Sequence, residues 1–219
     1  MVSFQSFIDY FLLCVSTLIT LVNPLGISPI FLALTDRFND VQRKIIARKG
    51  AITAGFILIV FSLVGTYIFK LYSITLDAFR IMGGILFFRS GLRMLEAKIS
   101  RTRTTPKEQE EGLEHDDIAI SPIGIPVITG PGAITAALVL SGNAKTPFHY
   151  AILVLSIILV ITITYFILRG ADKVSKRLGT TGMRIIQRVM GIILMVIAVQ
   201  FVINGVTPIL TSIVKQAGQ

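Results

Sequence analysis

The chain contains few charged residues, a single cysteine and no tryptophan. Only 15% of its 219 residues are Asp, Glu, Lys or Arg, whereas 53% are hydrophobic. Soluble domains carry about 25% charged residues, so this composition excludes an ordinary soluble domain and favours a polytopic membrane protein. Because Cys14 is the only cysteine, an internal disulfide is also excluded.

The sequence also lacks the motifs of an enzyme or a metal site. Neither His115 nor His149 has neighbours at metal-ligand spacing, and no nucleotide-binding loop or catalytic constellation occurs. We therefore predict that the protein is not an enzyme and holds no metal. The net charge of +9 does not predict nucleic-acid binding, because the basic residues lie in the short segments between apolar runs.

Long runs without charge dominate the chain: Tyr10–Thr35, Gly50–Phe69, Tyr150–Leu168 and Val189–Val214 contain no Asp, Glu, Lys or Arg. Each run is long enough to cross a hydrocarbon core of about 30 Å as a helix. Two further segments are apolar enough to join them. We predict an all-α membrane protein with six spans, at 10–36, 50–70, 74–95, 118–142, 148–168 and 185–211.

Basic residues follow every second span, which predicts the orientation of the chain. Most of its 21 Lys and Arg residues come after spans one, three and five, at Arg37, Arg43, Lys44, Arg48, Lys49, Arg93, Lys98, Arg101, Arg103, Lys107, Arg169, Lys173, Lys176, Arg177, Arg184 and Arg188. Cytoplasmic loops carry such an excess. We expect a multi-pass protein of the cell (inner) membrane with both termini outside and segment 98–117 as a cytoplasmic linker.

Two of the predicted spans contain helix-breaking residues. Pro24 lacks an amide hydrogen and follows Asn23, a good N-cap residue, so we expect one helix to end near Val22 and another to begin at Pro24. In span four, prolines and glycines predict an irregular first half up to Ile128 and a helix from Pro131 to about Gly142. We expect a capping residue at each break.

The two breaks occupy matching places in two halves of the chain. Pro24 pairs with Pro131, and Arg80–Gly83 resembles Arg188–Gly191 in the same order. Three spans per half, joined by a cytoplasmic linker, give the halves opposite orientations. We therefore predict one transmembrane domain of two inverted three-helix repeats, about 1–97 and 118–219, with spans one and four broken mid-membrane.

Inverted repeats would bring the N-termini of the two half-helices together near the midplane. Each N-terminus carries unpaired backbone N–H groups and the positive end of a helix dipole, which together suit an anion or a carboxylate. The predicted site comprises Asn23, Pro24, Leu25, Gly26, Thr129, Gly130, Pro131, Gly132 and Ala133. The alternative is that these prolines and glycines only kink helices or let them pack closely.

Two motifs carry a family resemblance. Asn23-Pro24-Leu25-Gly26 with Ser28-Pro29, followed by Pro122 and the run from Pro126 to Thr135, resembles the MarC family of integral membrane proteins over essentially the full length. The better-defined SnatA-type branch of that family implies a secondary active transporter of small neutral amino acids, glycine and alanine especially. It also implies a coupling cation, H⁺ or Na⁺, and no other cofactor.

A zwitterionic amino acid needs a site for its carboxylate and a site for its ammonium. We predict that the N–H groups of Leu25, Gly26, Gly132 and Ala133 receive the carboxylate. The ammonium would contact the Asn23 side-chain oxygen, the Thr129 hydroxyl, or carbonyls freed at Val22 and Ile128. The glycines would leave room only for small substrates.

Arg89 and Asn204 are secondary candidates for gating or substrate contact. Arg89 is the one charge deep within a predicted span, although it can also extend to the inner interface. Asn204 can instead hydrogen-bond between helices. Two alternative functions stay open at this level: a passive channel for small polar solutes and a non-transporting membrane partner. The oligomeric state is open too.

Overall fold

The computed structural model describes residues 4–96 and 119–217, and those residues are almost entirely helical. The predicted linker 98–117 lies outside the described residues. In chain order the elements are α1 (Phe4–Val22), α2 (Pro24–Leu34), α3 (Asp40–Leu71), α4 (Leu76–Leu95), an irregular helical segment (Ala119–Ile128), α5 (Pro131–Asn143), α6 (Pro147–Arg169) and α7 (Ala171–Ala217).

Four helical stretches in the described part of the chain are long and apolar enough to cross a membrane: Phe7–Leu34, Asp40–Gly65, Pro147–Arg169 and Thr181–Gln216. They correspond to predicted spans one, two, five and six. Helix α4 carries Asp77, Arg80, Arg89 and Arg93 and is therefore less apolar. Helix α5 has 13 residues, about 20 Å, and is too short to cross alone. The protein is an all-helical membrane protein, and the six-span inverted repeat stays a prediction.

The first break has the predicted form. Helix α1 ends at Val22 and α2 begins at Pro24, with Asn23 between them in the left-handed region at φ 47° and ψ 62°. Asparagine is one of the few residues that tolerates this conformation. Its side-chain oxygen accepts a hydrogen bond of 3.2 Å from the Gly26 amide, which confirms Asn23 as the N-cap.

The second break is irregular for a local reason. Within Ala119–Ile128, Ser121 and Ile125 have extended backbones (φ −133° and −130°), and each precedes a proline in the sequence. Proline disfavours helical geometry in the residue before it. Helix α5 then begins at Pro131, as predicted. The expected capping side chain is absent, because the N-cap is Gly130, which has no side chain to hydrogen-bond.

The two halves of the chain interleave. Helix α3 packs against Ala119–Ile128 and α5, whereas α6 packs against α1 and α2, so each of these long helices lies on the broken pair of the other half. Helix α1 also meets α5 through Tyr10, whose hydroxyl donates a 2.8 Å hydrogen bond to the Leu140 carbonyl. This packing of each half on the other brings the two breaks together.

Helices α4 and α7 form the most extensive helix pair, and glycines allow their close approach. A Cβ atom placed on Gly91 would lie 2.7 Å from the Gly191 carbonyl oxygen, and one placed on Gly191 would lie 2.7 Å from the Gly91 carbonyl oxygen. Gly84 and Gly205 approach carbonyls of the opposite helix in the same way. Small residues at such positions drive association in membranes, where apolar surface alone does not.

We predict that Gly91→Ala lowers the free energy of unfolding by roughly 1–3 kcal/mol, because the new methyl group must push two helix backbones apart. The measurement is unfolding of the purified protein in detergent micelles. Gly55→Ala is the matched control, since its Cβ would lie 3.5 Å from Ile161, an ordinary van der Waals contact. Equal stability of the two variants would show that the α4–α7 contact is not tight.

Candidate functional site

A cavity of about 330 Å³ lies where the two breaks meet. We call it the break cavity. It is lined by Leu21, Val22, Asn23, Gly26, Ile27, Ile30, Ser90, Arg93, Met94, Val127, Gly130, Pro131, Gly132, Ala133, Gln187 and Leu194. Residues from both broken helices, from α4 and from α7 therefore surround one space. Most of the lining is apolar, with a few polar groups, as is usual for small-molecule sites.

Six of the nine residues predicted from the sequence line this cavity: Asn23, Gly26, Gly130, Pro131, Gly132 and Ala133. Pro24 and Leu25 belong to the first turn of α2 but are not part of the lining. Thr129 is also outside it. Its side chain is buried, and its hydroxyl donates a 2.7 Å hydrogen bond to the Gly124 carbonyl, which closes the irregular segment.

The backbone amides at the breaks are only partly available. The Gly26 amide donates to the Asn23 side chain, and the Ala133 amide donates to the Gly130 carbonyl at 2.9 Å. Neither fits its predicted role as an uncommitted carboxylate donor, because each is used within its own helix cap. The Gly132 amide forms no hydrogen bond with the described residues and lines the cavity. It is therefore the best-placed backbone donor.

The Asn23 side chain is partly used by the cap of α2. Its oxygen, the expected ammonium contact, already accepts the Gly26 N–H. Its Nδ2 group then remains as a donor at the cavity wall, since a carboxamide has one acceptor and one donor end. A side chain that caps α2 through its oxygen thus keeps its amide hydrogens as donors, which are groups that suit a carboxylate.

Three polar residues of the cavity were not predicted: Ser90, Arg93 and Gln187. The Gln187 amide nitrogen donates to the Gly26 carbonyl at 3.4 Å, which links α7 to the first turn of α2. Arg93 lies at 3.5 Å from the Ser90 hydroxyl near the end of α4. A polar residue inside a predicted span, such as Gln187, is the signal that could have identified this wall.

The two secondary candidates lie elsewhere. Arg89 is exposed on α4 and does not line the break cavity, although its neighbour Ser90 does. Asn204 is exposed on α7, where its side-chain oxygen accepts a 2.8 Å hydrogen bond from Gln200. It lines a separate, smaller cavity. The structure therefore does not bring either residue to the breaks.

Comparison with known proteins matches residues 8–210 to the model of the MarC family, described as MarC family integral membrane protein. The chain belongs to the MarC family. It is 40% identical over 203 residues to a UPF0056 membrane protein of Methanocaldococcus jannaschii, a match that covers 91% of this chain and 97% of the relative. It is also 40% identical over 200 residues to the UPF0056 membrane protein YvbG of Bacillus subtilis, covering 90% and 95% of the two chains.

The MarC relatives extend the family across archaea and bacteria without naming a substrate. A third, the UPF0056 membrane protein PH0760 of Pyrococcus horikoshii, is 37% identical over 199 residues, which cover 91% of this chain and 95% of that protein. No solved structure matches the chain. The site must therefore be interpreted from its own geometry.

Asn23 offers a test of the cap. We predict that Asn23→Ala lowers the free energy of unfolding by about 1–2 kcal/mol, because alanine loses the cap and is disfavoured in the left-handed region. Asn23→Gly should stay within a few tenths of a kcal/mol of the native protein, since glycine adopts that conformation freely and is tolerated at N-caps. Thermal unfolding in detergent measures both. An alanine variant as stable as the glycine variant would contradict the role of this residue.

Proposed function

We propose that this MarC protein is a secondary active transporter of small neutral amino acids, such as glycine and alanine, which bind in the break cavity. One observation supports the proposal above the others: both interrupted helices open into a single cavity. Interrupted spans whose half-helix N-termini point at anionic substrate groups are a recurring design of secondary transporters. A pair of structural kinks would not need to share a cavity.

The chemistry of the wall suits a zwitterion. The Gly132 amide, the Asn23 Nδ2 group and the positive ends of α2 and α5 favour a carboxylate. Gln187 uses its amide nitrogen on Gly26, which leaves its side-chain oxygen as an acceptor for an ammonium. The Ser90 hydroxyl provides a second acceptor. A ligand that carries both charges would therefore find partners for each.

Two glycines keep the space at the breaks open. A Cβ atom on Gly132 would lie 3.0 Å from the end of the Leu21 side chain, and one on Gly26 would collide with the Asn23 side chain. Both glycines therefore hold space that a larger residue would remove. Leu21, Ile27 and Leu194 form apolar walls that suit a methyl group. Glycine and alanine meet these conditions.

The topology of the proposal is six spans in two inverted repeats, with both termini outside. Helix α3 of the first half packs on the broken helices of the second half, and α6 of the second half packs on those of the first. This reciprocal packing supports the proposal, because two related halves would pack in the same way. In this orientation Arg93, at the end of α4, stands on the cytoplasmic side of the break cavity. A coupling cation, H⁺ or Na⁺, drives substrate movement between the two sides.

Uptake of labelled glycine into proteoliposomes tests the function. Saturable uptake that responds to an imposed Na⁺ or pH gradient supports a coupled transporter. Flux that rises linearly with concentration and ignores the gradients would indicate a passive channel instead. Absence of flux for glycine and alanine in both directions would leave a non-transporting membrane protein.

A size series at Gly132 tests the position of the site. We predict that Gly132→Ala lowers alanine uptake more than glycine uptake, and that Gly132→Val abolishes both, because added bulk fills the cavity from the Leu21 side. Gly55→Ala, far from the lining, is the control for expression and insertion. Normal transport by the valine variant would place the substrate elsewhere.

A further inference from the structure

A second cavity of about 130 Å³ lies between α1, α4, α5 and α7. We call it the Arg80 cavity. It is lined by Leu13, Ser16, Thr17, Arg80, Val139, Asn143, Ile197, Gln200, Phe201 and Asn204. None of these residues lines the break cavity. The volume accommodates several water molecules, each of which takes about 30 Å³ in the liquid.

Polar side chains converge on this space from four different helices. Helix α1 contributes Ser16 and Thr17, α4 contributes Arg80, α5 contributes Asn143, and α7 contributes Gln200 and Asn204. Polar and ionisable groups inside membrane spans are unfavourable and mark substrate or ion pathways when they line a shared space. Several of these groups also bond within the protein: Ser16 donates to the Leu13 carbonyl and Gln200 donates to Asn204.

Arg80 holds the charge of the cavity, and its donors are only partly used. One guanidinium nitrogen, Nη1, donates to the Asp77 carboxylate at 2.8 Å, and Nη2 donates to the Asn143 side-chain oxygen. A guanidinium has five N–H groups arranged as a planar fork that fits a carboxylate. Arg80 therefore keeps donors for a ligand while Asp77 and Asn143 hold its orientation.

Thr17 supplies an independent sign of a missing partner. Its side chain is 1% exposed, and its hydroxyl is the one buried side-chain polar atom without a hydrogen bond in the described part of the chain. Thr20, one turn further on, donates to the Ser16 carbonyl at 2.7 Å. Buried hydroxyls are nearly always paired. A hydroxyl left unpaired at the wall of a polar cavity indicates a ligand that pairs with it.

We propose that the Arg80 cavity is a second binding site for a small carboxylate-bearing zwitterion. The Arg80 guanidinium and the Thr17 hydroxyl hold the carboxylate, and the side-chain oxygens of Gln200 and Asn204 face the ammonium. The identity of the zwitterion as the transported amino acid rests on the proposed function.

The placement of the second site gives the substrate a path. Arg80 and Arg93 lie at opposite ends of α4, about 20 Å apart at 1.5 Å per residue. One borders the Arg80 cavity and the other borders the break cavity. In the proposed orientation the Arg80 cavity is the outer station, which a substrate occupies before or after the break cavity.

A thiol reporter tests binding without relying on transport. Leu13 lines the Arg80 cavity and is 41% exposed, so Leu13→Cys in a Cys14→Ser background places one reactive thiol at its mouth. We expect glycine to slow labelling of this thiol by a water-soluble methanethiosulfonate. Glycinamide, which lacks the carboxylate, should not. Leu12→Cys, which is exposed but outside the lining, is the control whose labelling glycine leaves unchanged.

Substitutions then assign the contacts. Thr17→Val in the reporter protein should raise the half-protecting glycine concentration roughly tenfold, the effect of one lost hydrogen bond to a charged group. Its thermal stability should not fall, because the lost hydroxyl has no partner in the protein. Thr20→Val, which removes a hydroxyl bonded to backbone, should leave the concentration unchanged. Arg80→Gln should abolish protection, and Arg80→Lys should retain part of it.

The outcomes separate this inference from the transport function. Protection that persists in Gly132→Val, with the break cavity filled, supports an independent site; protection lost there shows that the reporter senses only the break cavity. Equal protection by glycinamide, or an unchanged concentration in Thr17→Val, overturns the carboxylate site even if the protein transports glycine. Protection without any transport keeps the site and refutes the proposed function.

Discussion

The backbone polar groups at an interrupted membrane helix need partners, and the rest of this structure depends on that constraint. In lipid there is no water for a free amide or carbonyl, so a break is tolerated only where protein or a wet cavity receives it. The two breaks meet the constraint differently. At the first, the Asn23 side-chain oxygen accepts a hydrogen bond from the Gly26 amide. At the second, the Gly130 carbonyl accepts hydrogen bonds from the Ala133 and Ile134 amides, and Gly132 lines the break cavity.

The α4–α7 pair forms one wall of the cavity that receives the breaks. Gly91 and Gly191 bring the two backbones into contact, and the pair contributes Ser90, Arg93 and Gln187 to the lining. The same pair extends to the Arg80 cavity at its other end. A single tightly packed helix pair thus borders both cavities. A displacement of this pair against the broken helices would change the two spaces together.

The sequence predicts the breaks well because the rules that govern them are local. Proline removes a donor, asparagine tolerates the left-handed region, and a residue before proline is extended, so the ends of α1, α2 and α5 follow from a few neighbouring residues. The partners of these groups depend on packing between distant segments. Packing decides that Thr129 hydrogen-bonds within its own segment and that Gln187 hydrogen-bonds to Gly26. A short stretch of sequence does not contain the residues that set this packing.

The orientation of side chains around a membrane helix is also hard to predict. A helix in water shows its buried face by an apolar stripe, whereas α6 is apolar all round. Without such a stripe, the sequence could place Arg89 and Asn204 within a span but not on a face. The structure puts both on exposed faces. Polar residues that converge from several helices are a better guide to function than any one of them, and convergence is visible only in three dimensions.

The charges around the two cavities constrain what moves through them. Arg93 borders one and Arg80 the other, and the described lining of neither includes an Asp or Glu. Asp77 compensates the charge of Arg80 through their 2.8 Å ion pair. In the proposed transporter, a zwitterion can approach each arginine with its carboxylate and direct its ammonium to amide and hydroxyl oxygens. A coupling proton would find no carboxylate in either lining. In the proposed transporter, the coupling cation therefore binds uncharged oxygens or residues outside the two cavities.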